Sequence, residues 1–262
     1  MNRLDGRVAL VFGAGSSGRR LSNGRAAALA YARAGALVVP IDIDRGSAEH
    51  TAELIIAEGG TALPLVADVT DEDDVANAVA AAVELGVPTI LHNNVGAAVI
   101  GGIDGLSRTT WDQALSVNVT SVFLTCKHTL PHMLAAGGGA VVNVSSLAAI
   151  RYVGYDYPAY MAAKAAVNQL TVALALTHAR DGIRVNAVVP GLIDTPMVER
   201  QLHTAPGAAA EAKARRDAAS PTGRMGTPWD VAHAAVFLAS DDAAYINGVC
   251  LPVDGGLSAR AS

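Results

Sequence analysis

The sequence predicts an α/β protein with a single domain, in which a doubly wound parallel (Rossmann) sheet of about seven strands carries helices on both faces. Short, almost wholly apolar runs alternate with longer amphipathic segments along the chain, and strands that are apolar on both faces indicate a parallel sheet buried between helices. The 262 residues include 51% hydrophobic side chains, which suits one large core but not two complete domains.

The predicted strands, in chain order, are RVALVF, ALVVPI, TALPLV, TILHN, AVVNVS, IRVNAVV and GVCLPV. The helical patterns between them include GRAAALAYARA, SAEHTAELIIAE, EDDVANAVAAAVE and YMAAKAAVNQLTVALALTHAR. No linker or low-complexity tract interrupts residues 1–262, so one domain is expected. The one compositional break, residues 195–228, is rich in alanine, proline and charge. A loop of this length inside a compact domain predicts a substrate lid.

Composition excludes several classes of function. The net charge is −5 without a long basic run, which argues against nucleic acid as a partner. No apolar run approaches the roughly 20 residues of a membrane span, and no signal-peptide pattern precedes the first strand, so a cytoplasmic location without a membrane partner is expected. Cys126 and Cys250 lie in apolar segments without metal-ligand spacing, and no metal site is predicted.

The glycine-rich turn after the first strand allows three interpretations. Gly13, Gly15 and Gly18 spell the dinucleotide fingerprint G-x-G-x-x-G. Gly13 and Gly18 also fit the start of the phosphate loop G-x-x-x-x-G-K-[ST], but Arg19 and Arg20 occupy the positions of its lysine and hydroxyl. The phosphate-loop interpretation therefore fails, because nothing there replaces the hydroxyl that holds Mg²⁺.

The third interpretation makes Gly24 the last working glycine. An uninterrupted helix then follows, and Asn23 is its predicted N-cap. Asp42, which closes the second strand, lies about 20 residues further on, where an acidic side chain can accept a hydrogen bond from a ribose 2′-hydroxyl. The free N–H groups at the start of this helix attract a pyrophosphate.

Over essentially its whole length the chain resembles the short-chain dehydrogenase/reductase family, whose first turn reads T-G-x-x-x-G-x-G. Here Phe12 stands where the family usually has threonine, and the turn is about five residues longer, within SSGRRLSN. The other matching motifs are LVADV, NNVG, SVNVTSVF, VVNVSS, YMAAK, PGLIDT and the tail YINGVCLPVDGG. Each is weak alone, but their order and spacing together are specific.

The resemblance implies a set of site residues. The catalytic residues would be Asn118, Ser146, Tyr160 and Lys164. Ser145 is the alternative serine, because the spacing from Ser146 to Tyr160 is one residue longer than expected. The residues implied in cofactor binding are Gly13, Ser17, Gly18, Asn23, Gly24, Asp42, Asp68, Val69, Asn94, Gly96, Tyr160, Lys164, Ile193 and Thr195.

The family mechanism assigns a role to each catalytic residue. Tyr160 and Lys164 are one helical turn apart and share a face. A phenol has a pKa of about 10, and lowering it by three units requires roughly 4 kcal/mol of preferential stabilisation of the phenolate. The Lys164 ammonium and an oxidised nicotinamide both act in that direction. Ser146 would orient the substrate oxygen, and Asn118 would hold a water that links Lys164 to solvent.

The predicted cofactor is NAD(H), because the Asp42 carboxylate would repel a 2′-phosphate. NADP(H) is not excluded, since Arg19 and Arg20 in the extended turn could neutralise that phosphate. The extra residues form either a bulge at the cofactor mouth with an arginine near the phosphates, or a solvated insertion.

The predicted function is NAD(P)-dependent interconversion of a secondary alcohol and a ketone, with a small-molecule substrate. One alternative is the reduction of a 3-oxoacyl thioester carried on a carrier protein or coenzyme A. A non-catalytic dinucleotide-binding regulator is a further alternative. The resemblance also implies a homotetramer.

Overall fold

A computed structural model of the chain describes residues 3–16, 18, 20–197 and 208–260. It contains one sheet of seven parallel strands in the order β3-β2-β1-β4-β5-β6-β7, which confirms the predicted fold class. The strands are β1 (Val8–Phe12), β2 (Leu37–Asp42), β3 (Leu65–Val66), β4 (Pro88–Asn93), β5 (Gly139–Val144), β6 (Ile183–Pro190) and β7 (Cys250–Val253).

The third strand is shorter than the predicted run TALPLV. Only Leu65 and Val66 pair with β2, and Ala62 forms an isolated bridge to Val38. Pro64 lies between these two contacts. A proline has no N–H to donate to a ladder, so the pairing with β2 is interrupted at Pro64. The short strand β3 lies at one edge of the sheet.

Helices cover both faces of the sheet. They are α1 (Asn23–Arg33), α2 (Arg45–Ala57), α3 (Glu72–Val83), α4 (Arg108–Leu115), α5 (Ser121–Ala135), α6 (Pro158–Thr177), α7 (Ala208–Ala219) and α8 (Pro228–Ala239). A π-helical turn, Ser116–Thr120, joins α4 to α5. No helix in the described part of the chain combines the length and apolarity needed to cross a membrane.

Successive strand residues face opposite sides of the sheet, and two separate cores result. Ala9 and Val11 of β1 belong to a cluster with α1 and α8, whereas Leu10 and Phe12 belong to a cluster with α3, α5 and α6. The strand order reverses direction between β1 and β4, which is the place where an open α/β sheet binds its ligand. Phe12 and Asn93 are paired at that point, so the turns after these two strands lie side by side.

Candidate active site and cofactor cleft

A cleft of about 820 Å³ opens at the carboxyl ends of the strands, within the size range of small-molecule sites. It brings together residues from turns far apart in sequence. Gly24 and Asn118 lie immediately beneath its surface, and Ser17 lies outside the described residues. The predicted residues that line the cleft are Gly13, Gly18, Asn23, Asp42, Asp68, Val69, Asn94, Gly96, Ser146, Tyr160, Lys164, Ile193 and Thr195.

Gly13 and Gly24 bring the first strand and the first helix into direct contact. A Cβ atom on Gly24 would lie 1.9 Å from the carbonyl oxygen of Gly13, so no larger residue fits without moving the backbone. Gly13 has a φ of +79°, and its carbonyl accepts a hydrogen bond of 2.9 Å from Asn94 Nδ2. This packing supports the interpretation in which Gly13 and Gly24 bracket the phosphate turn.

Gly15 has a role that the sequence interpretation missed. Its backbone N–H donates to Asp42 Oδ2 at 2.8 Å, and a Cβ atom at this position would lie 2.6 Å from the same oxygen. The close approach fixes the carboxylate at the wall of the cleft. Gly15 is the second glycine of G-x-G-x-x-G, so the fingerprint carried a signal even though its last glycine, Gly18, does not open the helix.

The predicted N-cap is wrong by one residue. Ser22 caps α1, because its Oγ accepts a hydrogen bond of 3.1 Å from the backbone N–H of Arg25 and donates one of 2.7 Å to Gly15 O. Asn23 is the first residue of the helix and lines the cleft. Its Oδ1 is buried and has no hydrogen-bond partner within the described residues. A buried polar atom without a partner is costly, and a cofactor in the cleft can satisfy it.

The described part of the extended turn is tied down by hydrogen bonds. Ser16 Oγ donates to Arg20 O at 2.6 Å. The guanidinium of Arg25 is buried and donates to the carbonyls of Ser16 and Gly18, and to Thr51 Oγ1 at 3.0 Å. Burial lowers the pKa of Arg25, and the nearby negative charge of Asp42 acts in the opposite direction. These bonds argue against a loosely solvated insertion.

Arg20 reaches away from Asp42. Its Nη2 lies 2.5 Å from Asp194 Oδ1, and Asp194 follows β6 between the cleft-lining residues Ile193 and Thr195. In the strand order, β2 and β6 lie on opposite sides of β1. Arg20 is therefore drawn toward the β6 side of the cleft, away from the carboxylate that was expected to contact the ribose.

Lys164 and Tyr160 project from α6 into the cleft. Lys164 Nζ donates to Val144 O at 2.9 Å and lies 5.9 Å from the centroid of the Tyr160 ring. Burial lowers the pKa of Lys164 to about 8. Burial raises the pKa of Tyr160, and the hydrogen bond with Ser146 lowers it by less.

The Lys164 ammonium and an oxidised nicotinamide were expected to lower the pKa of this phenol together, and in the chain without a cofactor burial raises it instead. The ammonium is directed at a main-chain carbonyl, and the ring environment disfavours phenolate. In the protein alone the pKa is therefore shifted away from the value that proton transfer at neutral pH requires. A bound oxidised nicotinamide would add positive charge near the phenol and lower its pKa, in the same direction as the Lys164 ammonium.

The two candidate serines have different surroundings. Ser145 is buried, and its Oγ donates to the carbonyl of Lys164 at 3.2 Å. Both serines line the cleft, but the hydroxyl of Ser146 interacts with Tyr160 while accepting the N–H of Ala148 at 3.2 Å. The geometry supports Ser146, because it is the serine whose hydroxyl is next to the phenol.

Asn118 lies in the π-helical turn and is fully buried. Its Nδ2 donates to the carbonyls of Ala97 and Ala114 at 2.9 Å each, and its Oδ1 accepts the N–H of Ala97 at 3.1 Å. Both side-chain N–H groups are therefore used, one to hold the turn after β4 at Ala97 and one on Ala114 of α4. A Cβ atom on Gly96 would lie 3.0 Å from Asn118 Oδ1 and 3.0 Å from Lys164 Nζ, so these three residues meet at one point.

A row of aromatic rings connects Tyr160 to the region of the predicted lid. Tyr160 contacts Tyr157 edge to face, with centroids 5.4 Å apart, and Tyr157 stacks on Tyr155 at 5.9 Å. Arg216 of α7 is buried and donates two hydrogen bonds to the hydroxyl of Tyr155, at 2.6 and 3.0 Å. Sequence reasoning had no signal for this contact. Residues 198–207 of the predicted lid lie outside the described part of the chain.

Comparisons with known proteins agree with this arrangement. A family model described as Enoyl-(Acyl carrier protein) reductase matches residues 19–258. The 2-(S)-hydroxypropyl-CoM dehydrogenase 3 of Xanthobacter autotrophicus is 40% identical, over 98% of this chain and 99% of the relative. A short-chain dehydrogenase/reductase structure from Burkholderia xenovorans is 44% identical with a TM-score of 0.96, over 99% of both chains. A protein described as an NAD(P)-dependent gluconate 5-dehydrogenase from Beutenbergia cavernae, with NADP bound at low occupancy, is 36% identical with a TM-score of 0.90, over 99% of both chains.

The fold and the cleft define a dinucleotide-dependent oxidoreductase. The chain belongs to the short-chain dehydrogenase/reductase family. It is an NAD(P)-dependent enzyme that acts on CH–OH groups and interconverts a secondary alcohol and a ketone. These findings confirm the predicted family and reaction, and they do not favour the 3-oxoacyl-thioester alternative.

Proposed function

We propose that the chain uses NAD(H) in preference to NADP(H). The observation that carries this proposal is the position of Asp42, which ends β2, lines the cleft and is fixed by the N–H of Gly15. A fixed carboxylate accepts hydrogen bonds from a ribose 2′-hydroxyl and repels a 2′-phosphate. The pairing of Arg20 with Asp194 also supports NAD(H), because it directs this cation away from Asp42.

Other residues of the chain fit the rest of a dinucleotide. Gly13, Gly24 and the start of α1 would hold the pyrophosphate, since free N–H groups at a helix N-terminus attract anions. Asp68 and Val69 would meet the adenine, and the amide oxygen of Asn23 would gain a partner. The remaining cofactor contacts proposed are Ser17, Gly18, Asn94, Gly96, Ile193 and Thr195.

The chemistry then falls to four side chains. A bound nicotinamide supplies or accepts the hydride. Tyr160 exchanges a proton with the substrate oxygen, and Ser146 orients that oxygen through its hydroxyl. Lys164 holds the ribose next to the nicotinamide and contributes positive charge, while Asn118 fixes the Ala97 turn on which the site rests. The proposed water next to Asn118 would donate to an oxygen atom of this residue, because both side-chain N–H groups already donate to main-chain carbonyls.

The cofactor preference is tested by comparing kcat/KM for NADH and NADPH with the same ketone. The wild-type protein is expected to favour NADH, and Asp42→Ala is expected to reduce that preference by about tenfold or more, as loss of a charge repulsion would. Asp68→Ala serves as the control, because it removes a cleft carboxylate at the adenine instead of the ribose. Preference for NADPH in the wild type would overturn the assignment of Asp42.

The catalytic assignment is tested with Tyr160→Phe. Removing a positioned general acid-base typically lowers turnover by about 10²- to 10⁴-fold. The variant should still bind NADH, measured by the fluorescence of the bound cofactor, because the other proposed cofactor contacts remain and only the proton-transfer group is removed. Retained turnover would contradict the assigned role.

The proposed substrate is a small secondary alcohol or its ketone. The name of the Xanthobacter relative, a 2-(S)-hydroxypropyl-CoM dehydrogenase, supports this substrate class, and Tyr160 lines the cleft with Tyr157 packed edge to face behind it. A panel of ketones and 3-oxoacyl thioesters, followed at 340 nm, separates the two activities. Reduction of thioesters alone would reject the ketone assignment. Residues 195–228 are proposed to act as the lid over this substrate.

We also propose a cytoplasmic homotetramer. Large apolar side chains stay exposed on several elements, among them Phe123 on α5, Leu176 on α6 and Tyr245 before β7. Burial of such side chains against further copies would be favourable. Light scattering coupled to size-exclusion chromatography tests the assembly, and a monomer at micromolar concentration would contradict it.

A further inference from the structure

The extended turn after β1 is the feature that the reaction itself does not explain. The turn is longer than the family motif requires, and its described residues are held by Ser16, Ser22 and Arg25 rather than left in solvent. Its outer residue Arg20 is paired with Asp194 at 2.5 Å. These two residues are separated by 174 positions in the sequence, and the fold brings them together beside the cleft.

The ion pair joins opposite walls of the cleft. Gly15, Ser16 and Gly18 line the wall that belongs to the extended turn, and Ile193 and Thr195 line the wall after β6. Asp194 is itself fixed, because its N–H donates to Gly226 O at 2.9 Å. The two walls face each other across the part of the cleft where the pyrophosphate is proposed to bind, beside the start of α1.

The ion pair also meets the region of the predicted lid. Lys213 of α7 is close enough for Asp194 to raise its pKa and for Arg20 to lower it, while its hydrogen bond with Asp217 raises it more strongly. Arg20 and Asp194 therefore lie at the junction of the extended turn, the segment after β6 and α7. An ion pair in this position has to separate if the two walls move apart.

We propose that Arg20 and Asp194 form a clasp that retains the dinucleotide and has to open before the cofactor is exchanged. The proposal rests on the proposed cofactor binding in the cleft. It assigns the extra residues of the turn to the rate of cofactor release, with Arg20 as a positioning residue.

The expected effect is modest, because both partners are partly exposed, with side chains 45% and 36% accessible. Exposed ion pairs are worth about 0.2–1 kcal/mol. Loss of the clasp should therefore accelerate NADH release by about 1.5- to fivefold, the same energy expressed as a rate ratio. Salt screens such pairs, so raising the ionic strength should accelerate release from the wild type more than from a variant without the pair.

The test measures NADH release by stopped-flow fluorescence after displacement with excess NAD⁺. Arg20→Gln and Asp194→Asn are each expected to release NADH faster, and the double variant is expected to be no faster than either single variant. The charge-swapped protein, Arg20→Asp with Asp194→Arg, should regain slow release. The matched control is Arg33→Gln, which removes a similarly exposed ion pair with Glu58 at the other end of α1 (47% and 43% accessible).

Unchanged release in both single variants would overturn the clasp. Additive effects in the double variant would also overturn it, because Arg20 would then act on the phosphates without Asp194. Acceleration in the Arg33 control would show a general effect of surface charge and count against the proposal. If the protein binds NADPH and not NADH, the cofactor preference fails, and the same comparison on NADPH release decides the clasp independently.

Discussion

The burial of His92 predicts a measurable loss of stability in mild acid. This residue of β4 is fully buried, its Nδ1 lies 3.1 Å from the hydroxyl of Tyr31, and the two rings meet edge to face at 5.6 Å. Burial lowers the pKa of His92 from 6.5 to about 3. An imidazolium here would lie in the apolar core, and no carboxylate among the described residues pairs with it. The folded protein therefore keeps the ring neutral.

The sign and size of the effect follow from proton linkage. Below pH 6.5 the histidine of the unfolded chain binds a proton, whereas folded His92 stays neutral down to about pH 3. The unfolded state therefore binds more protons, and the free energy of unfolding falls as the pH falls. The slope approaches 1.4 kcal/mol per pH unit. The loss from this residue is about 2 kcal/mol between pH 7 and pH 5, and at most about 5 kcal/mol in strong acid.

The measurement is urea unfolding at pH 7, 6 and 5, at fixed protein concentration and without cofactor. The variant His92→Leu with Tyr31→Phe removes the titrating group and the hydroxyl that would lose its partner. The difference in free energy of unfolding, wild type minus variant, should fall by about 2 kcal/mol from pH 7 to pH 5. Tyr31→Phe alone keeps His92 and should retain the acid loss. A difference that stays constant across this range would refute the buried neutral histidine.

Two further predictions concern the cleft, and a third concerns the contact between Tyr155 and Arg216. Gly24→Ala should weaken NADH binding by about 10- to 100-fold, because the new methyl group would overlap the Gly13 carbonyl and such overpacking costs about 1–3 kcal/mol. An unchanged Kd in a fluorescence titration would contradict the packing of Gly24 against Gly13. Ser146→Ala should lower kcat by about 10²- to 10³-fold, as loss of a donor to the reacting oxygen does. The kcat of Ser145→Ala should stay within about tenfold of the wild type. Equal losses of kcat in steady-state assays would mean that the catalytic serine is misassigned. Tyr155→Phe should lower the free energy of unfolding by about 1–3 kcal/mol, because buried Arg216 loses its acceptor. Chemical denaturation measures this change. An unchanged free energy of unfolding would mean that another group accepts from Arg216.

Local patterns were sufficient for the framework of this protein. The seven apolar runs became the seven strands, since short apolar runs separated by helical segments are typical of a parallel sheet buried on both faces. TALPLV was the exception, because Pro64 removed a donor and left the pairing to Leu65 and Val66. The order and spacing of the motifs also placed Ser146, Tyr160 and Lys164 in one cleft.

Contacts between distant segments could not be predicted in the same way. The position of the N-cap depended on Gly15 offering its carbonyl to Ser22, and nothing in the helix sequence distinguished Ser22 from Asn23. The partner of Arg20 lies beyond β6, and the acceptor of Arg216 lies before α6. The pKa of Tyr160 depended on desolvation, which spacing along a helix does not report.

The π-helical turn Ser116–Thr120 makes the position of Asn118 beside the cleft depend on the number of residues in this segment. A π turn is an α-helix with one residue added, and such turns are often found at functional sites. Deleting one residue from this segment would convert it to regular α-helix and remove the bulge that holds Asn118 in place. Asn118 would then leave the Ala97 turn, although every residue type in the site had been preserved. In this region, alignments and designs have to conserve the number of residues as strictly as their identity.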